Sequence, residues 1–367
     1  MAERYGMRVL AVTAFMASSM LVDGVGAAAG GPVEGVLGAD LSHRSFRTWT
    51  IDLPDERWFA VSGGIGIPHA GGDAFAAAVV GTDLKIDTDG DGQLDRSVRA
   101  TADDSGARTA RVVLEGNRAD DGAAFRYGVR LREQGGGWQW APGGAMSGSV
   151  DTDAGAMKVQ IIDRNGNGSF NDFGVDAMVV GRSTVATYLS RTVLVDDALY
   201  EVDVDASGSS IGLTPYVGAT AKFDMTSDFE TKARLLSAVV RSTDGSHSFD
   251  LGRHTGAVDV PAGRYEIISG RLGLGAQTVR VAPGRATPID MAHGSVKTFA
   301  WGGPVEGEFN YLRNGDQVAF SPNAIWYYGA AGEEYLDWNP IGKSPQFEVV
   351  SKATGEVLEV LILPGSC

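Results

Sequence analysis

Alternation of apolar and polar side chains at every second position is the feature that most limits how this chain can fold. Along residues 125–132, Phe125, Tyr127, Val129 and Leu131 alternate with polar residues that include three arginines. A period of two places successive side chains on opposite faces of an extended strand, so one face can be buried. Sustained helical periodicity is almost absent, and the sequence therefore predicts an all-β fold.

A second alternating stretch, residues 199–216, predicts a β-hairpin. Tyr200 and Val202 alternate with acidic residues, and apolar residues return at Ile211. Between the two arms, Ser207–Gly208 provides a turn.

Residues 227–242 allow two interpretations. Ser227 and Glu230 have the spacing of a helix capping box. Val239, Val240 and the turn that follows them are more typical of a strand, which is the interpretation we favour.

Glycine is unusually frequent, with 51 in 367 residues, which is about twice its average usage. Short strands separated by turn residues every 8 to 12 positions are typical of β-sandwiches. We therefore expect tandem small β-sandwich modules, Ig-like or prealbumin-like, with strand-linking calcium loops. The predicted modules are residues 30–135, 136–222, 223–295 and 296–367.

The N-terminus has the layout of a cleavable export signal. Arg4 and Arg8 precede an apolar run from Val9 to Val22, and small residues follow near Ala27. This run is shorter than the ~20 residues that a transmembrane helix needs. We predict that residues 1–29 are removed and that the mature protein has no membrane span and is secreted, periplasmic or on the cell surface.

The charge and the cysteine content argue against a nucleic-acid-binding protein and against a fold stabilised by internal disulfides. A net charge of −15, from 31 Lys and Arg against 46 Asp and Glu, argues against nucleic-acid binding. Cys367 is the only cysteine, so the chain cannot form an internal disulfide.

Residues 87–95, DTDGDGQLD, contain four aspartates in nine residues. Calcium takes six to eight oxygen ligands, and the pattern D-x-[DN]-x-[DN]-G supplies them from alternate residues around a sharp turn. The flanking residues read as strands, so we predict a Ca²⁺ site in a loop between two strands; a solvated acidic turn is the alternative. The predicted ligands are Asp87, Asp89, Asp91, the Gln93 carbonyl and Asp95.

Residues 163–176, DRNGNGSFNDFGVD, repeat the pattern with asparagine at its third and fifth positions. Because asparagine supplies neutral oxygens, this site is expected to bind calcium more weakly. A simple Asn-Gly turn is the alternative. The predicted ligands are Asp163, Asn165, Asn167, the Ser169 carbonyl, and Asp172 or Asp176.

The run at residues 87–95 resembles the calcium loops of dockerin, thrombospondin type 3 and EF-hand-like repeats. It departs from an EF-hand at the twelfth position, where Val98 replaces a bidentate glutamate. The resemblance implies a calcium loop without flanking helices. Residues 258–267, VDVPAGRYEI, resemble a turn of prealbumin-like or Cna-B-like sandwich modules, with Tyr265 and Ile267 facing inward.

No catalytic or cofactor-binding constellation is recognisable, since the five histidines fall singly and no nucleophile motif is present. Trp138 and Trp140 share one face of a predicted strand, and residues 326–338 form another aromatic cluster. Such residues stack on sugars when exposed but more often fill a core.

These observations predict an exported calcium-binding β-sandwich protein with a structural or surface-binding role. Its expected partners are calcium and a cell-surface or extracellular polymer. Two alternatives stay open: a carbohydrate-binding accessory protein, and a secreted hydrolase whose acidic residues are dispersed along the chain.

Overall fold

A computed structural model describes residues 37–102, 107–314, 317–336, 346–350 and 354–362. Within these ranges every regular element is a β-strand and none is a helix, which confirms the all-β prediction; no apolar helix of membrane-spanning length occurs there. The predicted export signal and Cys367 lie outside the described residues. The strands are β1 (Leu37–Asp40), β2 (Ser42–Ser45), β3 (Phe59–Ala60), β4 (Gly64–Ile65), β5 (Phe75–Val80), β6 (Asp83–Ile86), β7 (Arg96–Val98), β8 (Thr101–Ala102), β9 (Arg108–Asn117), β10 (Ala124–Gln134), β11 (Gly137–Pro142), β12 (Gly144–Thr152), β13 (Gly155–Ile162), β14 (Ala177–Val180), β15 (Thr187–Tyr188), β16 (Thr192–Val195), β17 (Ala198–Val204), β18 (Ser210–Pro215), β19 (Thr220–Asp224), β20 (Phe229–Glu230), β21 (Arg234–Ser242), β22 (Ser248–Asp250), β23 (Val258–Pro261), β24 (Gly263–Leu274), β25 (Gln277–Ala282), β26 (Ile289–Met291), β27 (Val296–Thr298), β28 (Trp301–Gly302), β29 (Glu306–Asn314), β30 (Gln317–Tyr328), β31 (Glu334–Leu336), β32 (Gln346–Val350) and β33 (Val357–Ile362).

The alternating stretches form strands as predicted. In β10, Tyr127, Val129 and Leu131 are buried while Arg126 is exposed. The stretch at residues 199–216 forms the antiparallel pair β17 and β18. The stretch with two interpretations is also strand, since β21 pairs with β24.

The predicted turn at residues 258–267 connects β23 to β24. Tyr265 is fully buried, and its hydroxyl donates a hydrogen bond to the Pro261 carbonyl at 2.9 Å. Ile267 is also buried. Both side chains therefore face inward, as the sequence predicts.

The first half of the described chain repeats one order of strands. Strands β5, β6 and β7 form an antiparallel meander, and β9, β10 and β11 form a second one. The same succession returns as β12, β13, β14 and then β16, β17, β18. In both copies a predicted calcium loop connects the second and third strands of the first meander.

The remaining strands extend these sheets or form others. Strands β1, β2, β3 and β4 add to the edges of β18, β12, β11 and β5. Strand β8 pairs with β9, and β15 pairs with β14. The other described sheets are β23-β19-β27, β20-β28, β22-β21-β24-β25-β31-β30-β29 with β26 beside β24, and β32-β33.

Two main hydrophobic cores lie beneath the sheets. The first contains buried residues from Leu41 to Leu213, and the second contains buried residues from Leu199 to Tyr335. The predicted module boundary at residue 135 lies between the paired strands β10 and β11, and the boundary at residue 222 lies inside β19. The division into four modules stays a prediction.

Candidate metal centre

The first loop, residues 87–95, joins two antiparallel strands. The last residues of β6 and the first of β7 pair as Ile86 with Arg96. Asp87 is therefore the first residue of the loop and Asp95 the last. The expectation that this acidic run connects strands is met.

The Asp87 carboxylate organises the first loop. Its Oδ1 accepts a hydrogen bond from the Gly90 amide at 2.8 Å, and its Oδ2 accepts one from the Gly92 amide at 2.8 Å. Both glycines have positive φ, 75° and 84°, which side-chain-bearing residues adopt at a cost. The loop thus wraps around a carboxylate that is only 2% exposed.

Carboxylate oxygens of Asp87, Asp89 and Asp91 lie within 4.8 Å of one another. Among the described residues, this is the only group of at least three His, Cys, Asp or Glu side chains so close together, and none of the three forms an ion pair there. Loss of hydration, followed by the negative charges of neighbouring aspartates, raises the pKa of Asp89. The group could hold a metal ion.

Gln93 and Asp95, the other two predicted ligands, form hydrogen bonds within the first loop. Gln93 donates its backbone amide and its side-chain amide to Asp91, at 2.7 and 3.0 Å. Asp95 accepts the amide and the hydroxyl of Thr88, at 2.9 and 2.8 Å. Loss of hydration alone would raise the pKa of Asp95, but the Thr88 hydrogen bonds lower it. Asp95 therefore closes the loop by binding its second residue.

The second loop, residues 163–176, occupies the corresponding connection between β13 and β14. Its flanking pair is Ile162 with Ala177, so Asp163 is its first residue and Asp176 its last. Each loop therefore starts and ends with an aspartate at the point where strand pairing stops.

The second loop repeats the hydrogen bonds of the first. Asp163 accepts the amides of Gly166 and Gly168, both at 2.7 Å, one on each oxygen. These glycines also have positive φ, 68° and 84°. They hold the fourth and sixth positions, as Gly90 and Gly92 do in the first loop.

Two further hydrogen bonds recur at equivalent positions. The seventh amide donates to the fifth side chain, here Ser169 to Asn167 at 2.8 Å. The second amide donates to the final aspartate, here Arg164 to Asp176 at 3.2 Å. Two loops of different length and charge therefore share one backbone design.

Asp172 is the side chain that meets the two predicted asparagine ligands. Its Oδ2 accepts the side-chain amides of Asn165 and Asn167, at 2.8 and 2.6 Å. The Asn165 Oδ1 atom is buried and has no hydrogen-bond partner among the described residues. Of the two predicted alternatives, Asp172 faces the asparagines, whereas Asp176 accepts backbone amides.

The second loop buries both its first and its last aspartate, whereas in the first loop Asp87 is buried and Asp95 is exposed. Asp163 and Asp176 are 1% and 0% exposed, and the Tyr127 hydroxyl donates to Asp163 at 3.0 Å. Burial raises the pKa of Asp163 to about 6. Burial, followed by the charge of Asp163, raises the pKa of Asp176 to about 8. A cation near these two carboxylates would favour their ionised forms.

A third turn of related design lies at residues 205–210, between β17 and β18. Asp205 accepts the amides of Ser207, Ser209 and Ser210, and Gly208 has a positive φ of 70°. Serine hydroxyls also donate to Asp205, and these bonds hold its pKa well below its usual range although burial opposes them. From the sequence alone this segment is predicted only as a hairpin turn; the run D-x-S-G-S, with serine in place of Asp or Asn, is the signal of its relation to the two loops.

Trp138 and Trp140 belong to the first core, where they are 6% and 3% exposed. A Cβ atom on Gly166 would lie 2.6 Å from the Trp140 ring, so this indole packs directly beneath the second loop. The core interpretation of this pair is confirmed. In the other aromatic cluster Tyr335 is buried, and Trp338 lies outside the described residues.

Neither a protein-family model, nor a curated protein, nor a solved structure matches this chain. The chemistry of the loops therefore rests on their own geometry.

Proposed function

We propose that the chain is an exported β-sandwich protein that binds calcium in its strand-linking loops and has a structural or surface-binding role. The observation that carries the proposal is the convergence of the Asp87, Asp89 and Asp91 carboxylates, none of which forms an ion pair among the described residues. In the first loop a bound cation would offset the repulsion among three like charges.

The ligand set favours calcium over other common metals. All three side chains supply oxygen, whereas structural zinc sites use thiolate and imidazole. Magnesium requires near-ideal octahedral geometry, while calcium accepts six to eight oxygens in flexible arrangements. Asp89 and Asp91 are exposed, so water or an external ligand can complete the shell.

The second loop is a weaker candidate site of the same kind. Asn165 and Asn167 now donate to Asp172. Rotation of either amide would turn its oxygen toward the space beside Asp172, where a cation would join the three groups. Fewer charged oxygens than in the first loop should give lower affinity.

Calcium would stabilise a fold that has no internal disulfide. A ligand that binds only the folded state contributes RT ln(1 + [L]/Kd), about 2.7 kcal/mol at a hundredfold excess over Kd. This is a large share of the ~5 to 15 kcal/mol that typically separates folded from unfolded domains.

Titration and scanning calorimetry of the chain from residue 30 onward, in calcium, in magnesium and in chelator, test the proposal. We expect calcium binding and a thermal transition that falls in chelator. The stronger calcium binding and most of the thermal shift should be lost when Asp87, Asp89 and Asp91 are changed together to asparagine, which leaves only the weaker second loop. The matched control changes three exposed aspartates elsewhere, Asp153, Asp197 and Asp203, to asparagine. The proposal would be contradicted if chelator left every thermal transition unchanged. It would also be contradicted if the control variant lost calcium binding to the same extent as the loop variant.

The export part of the proposal is tested separately. Mass spectrometry of the exported fraction should find a mature N-terminus near Gly30. An intact Met1 in that fraction would show that residues 1–29 are not a cleaved signal.

A further inference from the structure

The first loop, the second loop and the third turn line one surface groove of about 1040 Å³. Asp89 comes from the first loop, Asn167 from the second, and Ser207 and Ser209 from the third turn. Three segments of one backbone design, spread over more than 100 residues of chain, thus meet at a single cavity.

Residues 67–69 hold the two loops beside this groove. A Cβ atom on Gly168 would lie 3.4 Å from Pro68, so the second loop packs against this segment. At its other end, His69 stacks on Phe75 at 4.1 Å between ring centroids and closely approaches Gly90 of the first loop. The spacing between the loops is therefore fixed by packed side chains.

The third turn is tied directly to the second loop. The Phe170 amide donates to the Ala206 carbonyl at 3.0 Å. A Cβ atom on Gly208 would lie 2.7 Å from Phe170, so the two segments are in close contact. The groove wall that they form is continuous.

The groove is lined by apolar and polar residues. Of its aromatic residues, Phe125 is partly exposed, whereas Tyr127 and Phe170 are buried in the first core. Its arginines are already paired: Arg118 with Asp120 at 3.2 Å, and Arg126 with Glu115 at 3.0 Å. The other apolar lining residues include Ile67, Pro68 and Met146, and the polar residues include Ser42, Asn117, Ser207 and Ser209.

We propose that this groove binds a segment of a neutral polysaccharide, with calcium in the first loop contributing open coordination positions to sugar hydroxyls. A sugar ring has apolar C–H faces and a hydroxyl edge, which match the partly exposed Phe125 ring and the hydroxyl and amide groups of the groove. Ligand pockets of ~300 to 1,000 Å³ enclose small molecules, so a groove at the top of this range has room for several sugar rings. Among the described lining residues both arginines are paired, and the carboxylates of Asp89, Glu115, Asp120 and Asp121 disfavour an anionic polymer.

This inference rests on the proposed calcium site, and Ala124 offers a test that leaves the loops intact. Ala124 is an exposed groove residue at the start of β10, and Ala78 is an equally exposed strand residue outside the groove. Ala124→Trp fills the groove, and Ala78→Trp is the matched control. Affinity electrophoresis of the mature chain uses gels containing β-glucan, glucomannan or arabinoxylan, with polygalacturonate as the anionic polymer, in calcium and in chelator.

We expect at least one neutral polysaccharide to retard the protein in calcium, with affinity about tenfold lower for Ala124→Trp and unchanged for Ala78→Trp. Chelator should abolish the retardation. Absence of retardation by all three neutral polymers, retardation by polygalacturonate alone, or equal retardation of both variants would overturn the inference.

Calorimetric calcium binding on the same samples separates the two proposals. Calcium binding without retardation overturns the groove and leaves the metal site standing. Retardation that is sensitive to Ala124→Trp but persists in chelator, in a protein that binds no calcium, leaves the groove as a polysaccharide site but overturns the metal site and its part in binding the sugar.

Discussion

The first and second loops use the same hydrogen bonds in opposite surroundings. In the first, three carboxylates converge at the surface and only Asp87 is buried. In the second, Asp163 and Asp176 are both buried and the third and fifth positions are asparagine. The shape of the loop is therefore set by its first aspartate and two glycines, whereas its charge is set by the residues between them.

The third turn extends this comparison. Asp205 keeps the central carboxylate, but serine hydroxyls replace the other side chains and donate to it. Its hydrogen bonds are thereby satisfied within the turn, and no second carboxylate competes for space. We therefore expect metal-binding potential to fall across the three segments as internal hydrogen bonding by side chains rises.

The largest expected difference between the loops concerns the first aspartate. Asp163→Ala leaves three amides and the Tyr127 hydroxyl without their acceptor in a buried loop, and each unsatisfied group costs ~1 to 3 kcal/mol. Allowing for relaxation, we expect a loss of about 4 kcal/mol, against about 2 kcal/mol for Asp87→Ala, whose loop is open to water. Urea unfolding in chelator measures both losses. Asp163→Asn, which keeps one oxygen, is the control and should lose less; equal losses for the two alanine variants would remove burial as the difference.

The glycines give the next largest difference. At Gly166 a Cβ atom would lie 2.6 Å from the Trp140 ring, whereas at Gly92 nothing lies within 4 Å. Both positions have positive φ, so both alanine variants carry backbone strain of ~1 kcal/mol. Gly166→Ala adds overpacking of ~1 to 3 kcal/mol and should lose about 3 kcal/mol in the same unfolding assay. If Gly92→Ala lowers the free energy of unfolding as much as Gly166→Ala does, the packing of Trp140 under the second loop is not the cause of the loss.

Exchanging charge between the loops tests what sets metal affinity. Asp89→Asn with Asp91→Asn should weaken calcium binding at the first loop by at least about tenfold, because two ligand charges are lost. Asn165→Asp with Asn167→Asp should strengthen the second loop in return. Titration calorimetry decides, with each unchanged loop serving as the internal reference. Unaltered affinities after both exchanges would show that charge at these positions is not what binds the metal.

The sequence predicted the fold class and the loop positions because both depend on local patterns. Alternation at every second residue specifies a strand face, as in β10, and the D-x-[DN]-x-[DN]-G run fixes where a strand must turn. The roles of Asp95 and Asp176 were not predictable in this way. Each binds the second amide of its own loop, a contact that depends on where strand pairing resumes rather than on motif spacing.

The surroundings of each loop were the other property that sequence did not disclose. Asp163 and Asp87 are both buried and both accept the fourth and sixth amides, yet among the described residues only Asp163 of the two accepts a tyrosine hydroxyl, and its loop packs over Trp140. These contacts come from β10 and β11, more than twenty residues away along the chain. The meeting of the third turn with both loops at one groove is likewise a property of topology.

The smallest expected difference isolates the Tyr127 hydroxyl. It donates to Asp163 at 3.0 Å in a buried setting, and Asp87 has no corresponding hydroxyl donor among the described residues. Tyr127→Phe removes this bond while keeping the ring in the first core, so we expect a loss of about 1 to 2 kcal/mol in chelator. Tyr216→Phe is the control, because its exposed hydroxyl makes only a 3.4 Å bond to the Ala219 carbonyl, and it should lose almost nothing. Combining Tyr127→Phe with Asp163→Asn completes a double-mutant cycle, in which non-additive losses mean that the two groups stabilise the fold through each other. Additive losses would mean that the second loop holds its buried carboxylate with backbone amides alone, as the first loop does.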